Sequence, residues 1–167
     1  MLTHYRRPVF FSMTSLDMPV WSNVETVATL YKRDAQRFHL LLTEPKVDDA
    51  PILTPAGSGM DLDSSGTPSA KSRLVWLEMS PNRVTMTMQG NGNYSYRHLW
   101  ERGTYGVSRY WLQGDTLGQS HQLQLRNSTM KLEMEGSPLP KMLHVDYELW
   151  SGDTNLGHYM MHLEIQH

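Results

Sequence analysis

From about Ser72 to the C-terminus, apolar and polar residues alternate in short segments set apart by Gly, Asn and Pro turns, and no stretch carries a helical period. Read in order, the segments are residues 73–79, 83–89, 94–100, 106–112, 120–126, 130–134, 142–150 and 156–165. Alternation with a period of two places one row of side chains in a core and the other toward solvent. Val84, Met86 and Met88 alternate with Arg83, Thr85, Thr87 and Gln89, and Leu143, Val145, Tyr147 and Leu149 alternate with His144, Asp146, Glu148 and Trp150. Tyr159, Met161, Leu163 and Ile165 continue the same pattern in the last segment, and Met130, Leu132 and Met134 read as inward. The first third adds candidate strands at 8–14, 25–32 and 37–43, the last two close enough around Asp34-Ala-Gln to form a hairpin. The pattern predicts an all-β protein, a single antiparallel up-and-down barrel that closes on itself.

Residues 44–71 break the pattern. They hold Pro45, Pro51, Pro55 and Pro68 with Gly57, Gly59 and Gly66, and such a composition cannot repay the entropy of folding. A long mobile loop is expected there, either a lid over a barrel mouth or a tolerated insertion. The 167 residues are otherwise read as one domain, 1–167, large enough to bury a core without staples. The chain has no cysteine, which removes disulfides, thiolate metal sites and cysteine nucleophiles together. With 15 basic and 17 acidic residues the net charge is −2, so no large positive field points to nucleic acid. The N-terminal apolar run after Arg6-Arg7 is too short and too polar for a signal peptide or a membrane span, and a cytoplasmic protein without membrane contact is expected.

The order of segments over residues 72–165 resembles the bacterial YwiB-like proteins, a domain of unknown function numbered 1934. The residues that carry the likeness are Gly90 or Gly92, Trp100 with Gly103, Tyr110, Gly118 with Leu123 and Leu125, and Leu156-Gly157-His158 leading to Leu163-Glu-Ile165. The chain departs from the pattern at Gln89, where the family often has arginine, and in the insertion at 44–71. The resemblance implies a calycin-type, lipocalin-like β-barrel. It implies no activity, because the family brings no catalytic residues to carry over.

Candidate chemistry is sparse. On a strand, His158 and His162 lie about 13 Å apart, too far to share an ion, although His144 on the neighbouring strand can pair with one of them. Zinc wants three or four converging ligands, so no metal and no other cofactor is expected. Asp61-Leu-Asp63-Ser-Ser-Gly66 opens like a calcium loop but lacks the closing glutamate. No nucleophile elbow, phosphate-cradling loop or dinucleotide fingerprint occurs. Asp146 and Glu148 alternate as an outward, solvated pair.

The chain is, however, rich in methionine, with 12 residues, several of them at inward phase (Met86, Met88, Met130, Met134, Met161), and in mid-chain aromatics. Thioethers and amphipathic rings suit an adaptable apolar pocket; they equally suit a filled barrel, since eight strands enclose little more than side chains. The leading expectation is a non-enzymatic barrel binding a small apolar ligand through Trp76, Met86, Met88, Tyr96, Trp100 and Tyr110, with Arg97 or Arg109 holding a carboxylate if either points inward. The alternative is an interaction protein, a homodimer anchored by Trp150 and Met160 on otherwise polar faces. An enzyme would have to draw on the tyrosines and His98.

Overall fold

The computed structural model describes residues 3–16, 21–44, 73–90, 94–113 and 120–167. Ten strands follow one another: β1 (Thr3–Ser15), β2 (Trp21–Lys32), β3 (Phe38–Glu44), β4 (Arg73–Met79), β5 (Arg83–Gln89), β6 (Tyr94–Glu101), β7 (Tyr105–Gln113), β8 (Ser120–Glu135), β9 (Met142–Ser151) and β10 (Thr154–Ile165). Each pairs antiparallel with its neighbours in the chain, and β1 pairs with β10, so the sheet closes as an up-and-down barrel. Closure removes the free strand edges that an open sheet would expose. The residues expected to form a loop lie, from Pro45 to Lys71, outside the described residues, as do the calcium-like positions Asp61 to Gly66.

The alternation does the work foreseen for it. Leu30, Leu40, Leu77, Met86, His98, Ser108 and Leu125 stand opposite one another in successive pairs and form one inward rung around the wall. All are buried. A second rung, Leu42, Val75, Met88, Tyr96, Tyr110 and Leu123, lies nearer the rim where β3, β5 and β7 end. There packing loosens, with Tyr96 and Tyr110 half-buried and Leu123 exposed.

Several boundaries differ from the alternation's forecast, chiefly in β1, β2 and β8, while the hairpin expected around Asp34 is present. β1 begins at Thr3 and runs through Pro8, because pairing with β10 starts only at Val9 and the missing proline N–H interrupts no ladder there. The asparagine-free hairpin turn between β2 and β3 is held by Asp34, whose Oδ1 accepts the N–H groups of Gln36 and Arg37, each at 2.9 Å. Most instructive, the segments expected at 120–126 and 130–134 are one 16-residue strand. Its register with β9 shifts between Thr129 and Lys131, so Met130 is an extra residue in a β-bulge. Before the bulge Leu125 and Asn127 face inward; after it Leu132 and Met134 do. Met130, read as inward, is therefore 58% exposed.

Candidate functional site

On β6 the alternation sends Tyr96, His98 and Trp100 inward and Arg97 outward. His98 sits among aromatic rings: Trp100 stacks on it at 5.0 Å and 7°, Tyr96 lies at 5.0 Å, and Tyr110 and Tyr147 each lie at 5.6 Å. Its Nδ1 is 2.7 Å from Ser108 Oγ, which also accepts a hydrogen bond from Asn127 Nδ2 at 2.9 Å. Asn127 Nδ2 donates as well to the Leu99 carbonyl, 3.0 Å away. The intervening residue of β7 is Gly106, where a Cβ would overlap both the Leu99 carbonyl oxygen and Asn127 Oδ1. Glycine thus lets an asparagine of β8 reach past β7 to β6.

Burial lowers the His98 pKa to about 3, so the imidazole is neutral at pH 7. A neutral ring that takes the Ser108 hydroxyl proton at Nδ1 carries its own proton on Nε2. This is a weak base, and Ser108 is fully buried behind it. The arrangement ties β6, β7 and β8 together; it does not present a nucleophile to a substrate.

The outer wall of β3 to β6 is different in character. Trp76 is 44% exposed on β4, and its ring lies 5.9 Å from that of His39 on β3. Arg97 and Arg109 are cross-strand partners and both are exposed. Three adjoining grooves run over this face. One of about 440 Å³ is lined by Arg33, Arg37, Arg83 and Arg97 with His39, Glu78 and Thr85. Another of about 300 Å³ shares Arg97 and Glu78 and adds Leu74, Trp76 and Thr87. The third, about 210 Å³, is lined by Tyr31, Arg33, His39, Leu41 and Trp76. Of the arginines, Arg37 is tied to Asp34 at 2.5 Å. Partial burial lowers the His39 pKa, Glu78 at 3.9 Å opposes that shift, and Arg33 and Arg37 reinforce it. Cationic guanidinium groups beside an exposed indole can hold an anion while a flat apolar body lies on the ring.

The barrel wall thus divides the residues expected to act together. Met86, Met88, Tyr96, Trp100 and Tyr110 meet inside around His98, whereas Trp76, Arg97 and Arg109 stand outside. Neither arginine points inward to meet a carboxylate. Sequence reasoning missed His98 as the hub, although its phase with Tyr96 and Trp100 signals it, and missed Arg33, Arg37, His39 and Arg83, which only the strand register assembles. Trp150 is half-buried, with the Arg126 guanidinium 5.8 Å from its ring and 4.8 Å from that of Tyr105. Among the described residues no three His, Asp or Glu side chains gather as a metal site, and no helix is long and apolar enough to cross a membrane.

No family model matches the chain, and no curated protein does. Its fold is similar to the crystal structure of the ywiB protein from Bacillus subtilis, with a TM-score of 0.57 and 12% identity over 99% of this chain and 94% of that one. The barrel implied by the residues of the last hundred positions is thus matched at the level of fold.

Proposed function

We propose that the chain is a non-catalytic, lipocalin-like binding barrel whose ligand, a small amphipathic anion, lies on the outer face of β3 to β6. The observation that carries this reading is Trp76 and Arg97 lining one groove. A chain of net charge −2 gathers four arginines around the neighbouring groove, and such local reversal of sign marks a place where an anion is attracted. An apolar guest in the interior has a harder task, because Met86, Met88 and Trp100 are already packed against their neighbours. On this reading Trp76 supplies the apolar surface and Arg97, with Arg109 beside it, the charge.

Titration with 8-anilinonaphthalene-1-sulfonate tests it. Trp76→Ala and Arg97→Glu should each weaken binding about tenfold or more, roughly 1.4 kcal/mol, and added salt should weaken the wild type further. Undiminished binding by both variants would reject the outer groove.

A second reading has its own support. The exposed Tyr105 and Arg126 form with the half-buried Trp150 an aromatic–guanidinium cluster of the composition that anchors protein interfaces, and the partner would be a second copy of the chain. Sedimentation at high micromolar concentration should then show a dimer that Trp150→Glu dissociates. A wild-type monomer would exclude it.

A further inference from the structure

On the outer wall, β9 and β10 set His144 directly opposite His162. The rings meet by their Nδ1 atoms, 3.2 Å apart, with their centroids at 5.4 Å. The other nitrogen of each ring faces a carboxylate. His144 Nε2 is 2.9 Å from Asp146 Oδ1, and His162 Nε2 is 3.1 Å from Glu164 Oε1. A carboxylate accepts the Nε2–H and so favours the tautomer that leaves a lone pair on Nδ1. With both rings held this way, two lone pairs face each other. Their repulsion is relieved only when something positive lies between them, either a shared proton or a cation.

We propose that His144 and His162 form a binding site for one divalent transition-metal ion of the zinc, nickel or copper class. The two Nδ1 atoms are the protein ligands and water completes the coordination. Tetrahedral zinc with Zn–N bonds of 2.0–2.1 Å holds neighbouring nitrogens about 3.3 Å apart, so the observed separation demands no rearrangement. The carboxylate–histidine–metal chain is the arrangement by which proteins orient imidazole ligands and raise their basicity. The surrounding charge favours a dication. Glu133 stands opposite His144 on β8, and together with Asp146 and Glu164 it outweighs Lys131, 3.6 Å from Glu133. On the other flank β1 contributes the uncharged Ser12 opposite His162. Imidazole donors select borderline metals over magnesium and calcium, which prefer oxygen. With two protein ligands the ion stays exchangeable.

The test is titration of untagged protein with zinc chloride, followed by calorimetry and by long-range proton–nitrogen spectra of the histidine rings. One zinc should bind per chain, with the Nδ1 resonances of His144 and His162 shifting. His144→Gln and His162→Gln should each weaken binding at least tenfold, Asp146→Asn should weaken it less, and magnesium chloride should move neither ring. Equal zinc affinity in both glutamine variants would put the ion on other histidines and overturn the proposal. So would unshifted rings at millimolar zinc. If either variant fails to fold, the wild-type ring shifts alone decide.

Discussion

A single residue, His98, shows how polarity enters this core without opening it. Its partner Ser108 and the bridging Asn127 satisfy it within the wall, and aromatic rings on several sides exclude water. The neutral form is therefore favoured in the folded state, with a pKa of about 3 against 6.5 for the free side chain. At a pH between these values the unfolded chain binds a proton that the folded chain refuses. Stability from this residue is complete above about pH 6.5 and is lost as the pH falls toward 3. The loss approaches about 1.4 kcal/mol per pH unit at its steepest. Urea denaturation from pH 7 to pH 4 should show this slope in the wild type and a shallower one in His98→Gln. Superimposable slopes would mean that His98 is not held neutral. The phase of His98 was legible, since Arg97 and Ser95 mark the outward side of β6. That of Trp76 was not: β4 reads Leu-Val-Trp-Leu-Glu-Met, apolar on both faces, so alternation alone does not choose a side.

At the level of elements, strand cores were legible because each has enough alternation to fix its inward row, and β4 and β5 carry the boundaries that the pattern gives. A bulge is harder to read. The row Met130, Leu132, Met134 looks like an unbroken inward face, but it belongs to the phase that follows an inserted residue, and Met130 is that residue. The same insertion disguised one long strand as two short ones. Deleting Met130 should let Lys131 follow Thr129 in an unbroken ladder with β9, opposite Asp146, with Leu132 and Met134 still facing inward. The deletion should therefore cost no more than about 1 kcal/mol, the order expected for losing the local bend and twist that a bulge adds. Met130→Ser, which keeps the residue count, should stay within about 0.5 kcal/mol because the side chain is exposed. Urea unfolding of the two variants separates length from side chain. A loss of about 3 kcal/mol or more on deletion alone would show that the wall needs the bulge to close.

For the whole molecule, what matters is that closure depends on pairs that do not involve residues 45–72. β3 and β4 run opposite one another from Phe38 and Met79 out to Glu44 and Arg73, so the chain leaves one strand and re-enters the next across a single pair. A short turn can span that gap as well as a long one, and loop-closure entropy changes only logarithmically with length. The barrel is likewise sealed elsewhere, by β1 against β10 from Val9 and Ile165 to Ser15 and Tyr159. Replacing residues 47–70 with a short Gly/Ser linker should therefore leave the barrel intact and change its stability by no more than about 1 kcal/mol. The Arg and Trp grooves should also keep their affinity, because the described residues that line them lie on or between the strands. Thermal unfolding and the same sulfonate titration read both expectations in one preparation. A larger fall in the melting transition would mean that Ile52, Leu53 and Leu62 pack on the barrel. A loss of sulfonate binding without such a fall would instead assign the segment to the ligand site.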